Sequence, residues 1–199
     1  MQSRTALLLI DIFSLFDFPG GRQLGPLAAQ AAVRAVALRR AFDARELPVI
    51  HANDNFGDWK RDFPALVKAC RQHGGPAADI ADLLAPRPSD YFILKPKHSA
   101  FLATPLPVLL AKLDVKRLVL AGMALDSCVL ATAMDANSRE YETIVAREAT
   151  AALPDRRQPA LQTLQRSGAA KVLGNRQVIA QLGKWARADA HAAEADRKK

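Results

Sequence analysis

The chain has 199 residues, half of them apolar by type and 24% charged, which is too apolar for a disordered chain and ordinary for a globular one. Two cysteines, Cys70 and Cys128, exclude a disulfide framework and a four-cysteine zinc site. The net charge of +8 is dispersed among acidic residues rather than gathered on one element with interleaved aromatics, so no nucleic-acid partner is expected.

Residues 6–10, Ala-Leu-Leu-Leu-Ile, read as a buried strand ending at Asp11. The run is far too short for a membrane span or the core of a signal peptide, so no membrane partner and a cytoplasmic location are expected. Apolar residues recur at helical spacing over 27–45. A second strand covers 48–52 and ends near Asn53, Asp54 and Asn55. Weaker helical stretches follow at 63–72 and 79–84, and a third strand at 91–94 ends at Lys95. A helix spans 105–113, with Thr104 as its N-cap and Pro105 at its first position. A fourth strand (117–123), a helix (127–140), a fifth strand (142–146), a helix (159–167), a sixth strand (171–173) and a last helix (177–188) complete the series.

Continuous apolar strands with helices between them point to a parallel sheet covered on both faces. The expected fold is α/β: a three-layer α/β/α arrangement around a mostly parallel six-stranded sheet. No repeat, low-complexity stretch or linker divides it, so residues 1–188 are expected to form one domain. The charged, Ala-rich residues 189–199 are expected to fray.

In such sheets ligands bind beyond the carboxyl ends of the strands, at a switch point in strand order. Asp11, Lys95 and Cys128 arrive at that edge from three separate strands. Cys128 opens a helix, whose N-terminus favours a thiolate, and a nearby Lys95 ammonium would add to the effect. Asp11 can take the thiol proton, and backbone N–H groups of the turn can face a developing oxyanion. Cys70 reads as a packing residue. Asn53, Asp54 and Asn55 are candidates to line the site and Phe56 or Trp59 to wall it; the alternative is that the polar residues make turns or caps and Trp59 packs on the surface. Phe13 and Phe16 are further candidate walls, with core packing as the alternative for each, and His98 reads as a structural or substrate-side residue rather than the base.

Three motifs then carry a family resemblance. Leu8-Leu9-Ile10-Asp11 resembles the opening strand of the isochorismatase-like cysteine hydrolases. Lys95-Pro96-Lys97-His98-Ser99-Ala100-Phe101, with Thr104 after it, resembles their lysine segment. Leu120 to Val129, followed by Ala131 to Ala136, resembles their nucleophile loop and helix. The resemblance implies their Rossmann-like fold, Asp11 as general base, Lys95 as the cation beside the thiol and Cys128 as nucleophile. It also implies a cis peptide between Met123 and Ala124, with the N–H groups of Ala124 and Cys128 as the oxyanion hole, and a homodimer or homotetramer. The reaction implied is cleavage of a C–N bond in a small amide, carbamoyl or ureido substrate through a thioester, with Asp11 also activating the hydrolytic water.

The sequence departs from relatives in two places. Nicotinamidases of this family hold a metal through an Asp and two His after the second strand; here Asp54 matches the Asp, but Phe56 stands where the first His belongs. No metal is therefore expected, and no other cofactor, since the segment after the first strand lacks a phosphate-cradling loop. Leu125-Asp126 replaces a polar pair after the cis bond, which makes Leu125 a candidate substrate contact. The competing reading is a non-catalytic member of the fold that binds a small molecule.

Overall fold

The computed structural model describes residues 4–58 and 60–196, with side chains through residue 191. Six strands form one sheet: β1 (Thr5–Ile10), β2 (Val49–Asp54), β3 (Tyr91–Lys95), β4 (Arg117–Gly122), β5 (Glu142–Thr150) and β6 (Lys171–Leu173). Their spatial order is β3-β2-β1-β4-β5-β6, and every pairing is parallel.

Alternation along each strand splits the core in two. Leu7, Leu9, Val49, Val119 and Ala121 face one layer of helices, α1 (Gly21–Asp43), α2 (Phe63–His73), α3 (Gly75–Leu83) and α7 (Asn175–Asp196). Ala6, Leu8, Ile10, Ile50 and Leu120 face the other, formed by α4 (Leu106–Lys112), α5 (Leu130–Ser138) and α6 (Pro154–Arg166). Both faces of the central strands are thus dry. That is why they read as unbroken apolar runs.

The chain winds outward from β1 in both directions, so the switch in strand order lies between β1 and β4. Ile10 pairs with Gly122 at the carboxyl ends of these two strands. Gly122 has φ +116°, and a Cβ there would stand 2.0 Å from the Ile10 carbonyl oxygen. Only glycine permits this approach, which brings the segments after β1 and β4 together.

Several boundaries differ from expectation. α1 starts at Gly21 rather than 27, because two glycines and Pro26 in its first turns disguise the helical period. β5 runs to Thr150, four residues beyond its apolar core, after a register shift against Leu120 and Gly122. α6 begins at Pro154, not 159. The helix expected from 127 begins instead as a five-residue π-helical turn, Leu125–Val129. Thr104 is not the N-cap residue, but its hydroxyl still accepts the Leu106 N–H at 3.2 Å. Residues 189–196 continue α7, which is helical through Asp196, as suits an Ala-rich segment, and Asp189 accepts the Arg4 backbone N–H and pairs with Arg117; residues 197–199 lie outside the described residues.

Candidate active site

Asp11 follows β1 with a left-handed backbone, φ 46°. Its N–H still donates to Ala52, which ties it to β2. Its Oδ1 accepts the Asp54 N–H at 2.8 Å, and its Oδ2 pairs with Lys95 Nζ at 2.7 Å. Lys95 ends β3, two strands away, and its long side chain crosses β2 to reach this point. Lys95 Nζ also lies 3.7 Å from Cys128 Sγ, in the π-helical turn beyond β4. Acid, amine and thiol therefore meet at the strand-order switch, on the floor of an open cavity of about 660 Å³.

Backbone bonds hold this floor. The Asn53 side chain accepts the Phe13 N–H at 3.0 Å and donates to the Phe13 carbonyl at 2.8 Å, which fixes the loop after β1. The Thr132 hydroxyl donates to the Cys128 carbonyl at 2.7 Å and accepts the Ala100 N–H at 3.0 Å. Thr104 donates to the Ala100 carbonyl, so both polar groups of this fully buried alanine are satisfied by hydroxyls. The peptide between Met123 and Ala124 is cis. Among the described residues the Ala124 N–H meets no protein acceptor.

The electrostatics are those of two acids sharing one cation. Burial pushes the Asp11 carboxyl above its ordinary value, against the pull of Lys95 and of the Cys128 thiol. Burial also works against charge on Lys95, yet the charges of Asp11, Cys128 and Asp54 hold its ammonium above the usual lysine value. Burial and the Asp11 charge push the Cys128 thiol up to about 12, and Lys95 recovers only part of this. The thiol is not lowered by its turn, as the sequence led us to expect: the cation that would stabilise a thiolate is already engaged by Asp11. Moving the thiol proton onto Asp11 leaves the net charge of the trio unchanged. That transfer is the electrostatically cheap route to a thiolate here.

The family model for the isochorismatase domain matches residues 5–176. This chain belongs to the isochorismatase family. Over 150 residues it is 35% identical to the uncharacterized isochorismatase family protein YaaI of Bacillus subtilis, covering 75% of this chain and 82% of that one. Over 154 residues it is 32% identical to the maleamate amidohydrolase of Pseudomonas putida, covering 73% and 71% of the two chains. The crystal structure of the N-carbamoylsarcosine amidase from Thermoplasma acidophilum superposes with a TM-score of 0.68 at 26% identity, over 88% of this chain and 97% of that one.

In this isochorismatase-family chain the other expected site residues divide. Asp54 and Phe56 line the cavity, with Ala124 near its floor. Asn53, Asn55, Phe16 and Leu125 do not line it. Asn53 is spent on the Phe13 backbone, and Asn55 accepts the Gly57 N–H at 3.1 Å. Phe16 packs into the core below the loop after β1. Leu125 is wholly buried, and its N–H donates to Ala151 at 2.7 Å. Trp59 lies outside the described residues.

The described residues around Asp54 do not present a metal-binding set. The Asp54 carboxylate accepts the Phe56 N–H at 2.5 Å, and the Phe56 ring supplies no donor. Among the described residues no three His, Cys, Asp or Glu side chains converge on a common point. No described helix is long and apolar enough to cross a membrane.

Sequence reasoning missed several lining residues: Phe18, Arg61, Leu153, Arg156 and Ser127, whose neighbour His98 also lines the cavity. Phe13 walls the cavity, with its ring stacked on His51 at 5.6 Å. Leu153 and Arg156 were findable in principle. They follow β5, whose true end lies at the same sheet edge, and Arg156 is set by an ion pair with Asp126 at 3.5 Å.

Proposed function

We propose that this family member hydrolyses a C–N bond of a small amide, carbamoyl or ureido compound, with Cys128 as nucleophile, Asp11 as proton carrier and Lys95 as the fixed cation between them. The observation that carries this reading is the meeting of the three side chains on the cavity floor, Lys95 lying 2.7 Å from Asp11 and 3.7 Å from Cys128. The amidohydrolase and amidase activities named for two of its relatives support the same bond type. A cavity of about 660 Å³ suits a small molecule.

The steps follow from the charges. Asp11 takes the proton of the Cys128 thiol, and the sulfur attacks the substrate's carbonyl carbon. The oxyanion forms beside the Ala124 N–H, which has no acceptor to leave among the described residues. Asp11, now neutral, gives its proton to the departing nitrogen, leaving a thioester. Water then releases the acid. Asp54 and Phe56 are the proposed substrate contacts. The test is a panel of small primary amides and ureido acids assayed for ammonia release, with Cys128→Ala as control. The reading predicts a positive compound whose turnover is abolished by that substitution; full turnover in Cys128→Ala would overturn it.

A further inference from the structure

Among the titratable side chains at the cavity that have no task in the steps above, His98 stands beside the nucleophile. His98 is exposed at the cavity wall. Its Nδ1 lies 3.1 Å from Ser127 Oγ and 4.0 Å from Cys128 Sγ, and Ser127 Oγ is 3.9 Å from the same sulfur. The sulfur therefore has two sets of polar neighbours, Asp11 with Lys95 and Ser127 with His98, and all four line the cavity.

Asp11 shares the cavity floor, but its Oδ1 already accepts the Asp54 N–H and its Oδ2 is paired with Lys95, whereas Ser127 and His98 stand beside the sulfur at the exposed wall. The second half of the reaction also asks for something Asp11 does not obviously supply. A thiol pushed up to about 12 is a poor leaving group as a bare thiolate, so thioester cleavage is faster if a proton reaches the sulfur as the C–S bond breaks.

We propose that His98, coupled through Ser127, is a second proton carrier that drives hydrolysis of the Cys128 thioester, in the water step that the family resemblance assigned to Asp11. This rests on the cysteine-nucleophile reading above. The water oxygen bonds to the thioester carbonyl carbon while its proton passes to Ser127 Oγ, which gives its own proton to His98 Nδ1. The C–S bond then breaks with its electron pair on sulfur, and His98 returns the proton to Sγ. Free acid and resting thiol result, with no oxidant or reductant consumed. Asp11 serves acylation and His98 serves deacylation.

The test uses the full chain with p-nitrophenyl acetate as probe. Its nitrophenolate departs without needing a proton, so the initial burst reports acylation of Cys128 and the steady rate reports thioester hydrolysis. His98→Ala and Ser127→Ala are expected to keep a stoichiometric burst and to slow the steady rate about tenfold or more. Added imidazole should restore the rate of His98→Ala, which a merely structural role would not allow. An unchanged steady rate in His98→Ala, or equal slowing of burst and steady phases, would overturn the proposal. A burst that survives in Cys128→Ala would instead overturn the nucleophile reading, and the proposal with it.

Discussion

Replacing Asp11 by Asn removes one charge and keeps the side chain's shape, and the geometry predicts opposite effects on reactivity and turnover. In the resting protein burial and the Asp11 charge together push the Cys128 thiol up to about 12. Without Asp11, Lys95 loses its carboxylate partner and its Nζ, 3.7 Å from Sγ, becomes the counter-ion of the thiolate. Two unit charges at that separation attract by about 4 kcal/mol at an effective dielectric of about 20, and desolvation offsets part of this. A net fall of about one to two pKa units is expected, each worth tenfold in thiolate at about pH 8. Because a less basic thiolate is also a weaker nucleophile, with a Brønsted slope of about 0.4–0.5, iodoacetamide should modify Cys128 about three- to tenfold faster in Asp11→Asn. Turnover should fall by about a hundredfold or more, since the proton carrier is gone. Lys95→Met should lower both rates. The assay is timed quenching followed by mass spectrometry of the Cys128 peptide; Cys70, fully buried and pushed up to about 11, does not compete. An Asp11→Asn protein alkylated no faster than wild type would show that the Asp11 charge does not hold the Cys128 thiol up.

Three further outcomes are expected. Gly122→Ala should cost about 3 kcal/mol or more, because the new methyl would collide with the Ile10 carbonyl at a left-handed backbone position; thermal unfolding would then drop by about 6 °C or more. Asn53→Ala should cost about 1–3 kcal/mol by leaving the buried Phe13 N–H and carbonyl without their partner, and steady-state kinetics should show activity falling with it as the loop beside Asp11 loosens. Stability should also decline in acid. Burial holds His51 below its ordinary pKa against the pull of Asp90, and Asp90 stays low despite its own burial through bonds from His51 and the Arg87 N–H. The unfolded chain therefore binds a proton at His51 below about pH 6.5 that the folded chain resists, and another at Asp90 at lower pH. Melting temperatures should fall as pH drops through these ranges, and His51→Gln should flatten the first part of that fall.

The fold was legible because its central strands are buried on both faces. Ala6 to Ile10 and Leu118 to Ala121 carry no polar residue and could not be solvent-facing strands. What was hidden lay where local composition contradicts the final state. Arg147 and Glu148 are exposed within β5, so the strand appeared to stop before them, and the lining residues after its real end went unread. Asp11, Lys95 and Cys128 were legible as three chemically odd residues at strand ends. Asn53 and Asn55 looked like ligand contacts for the same reason, but their side chains satisfy backbone groups, a use that sequence alone does not separate from ligand binding. The thiol's acidity was misjudged because the helix-terminus argument considered Lys95 without the carboxylate already paired to it.

The proposed chemistry requires a covalent acyl intermediate on Cys128. Acid quenching during turnover of an amide that releases ammonia, followed by mass spectrometry of the intact protein and its peptides, tests it most directly. An added mass equal to the acyl part of the substrate is expected, confined to the peptide that contains Cys128 and absent from Cys128→Ala. Turnover at the wild-type rate with no such adduct, in a protein whose Cys128→Ala variant remains active, would contradict it.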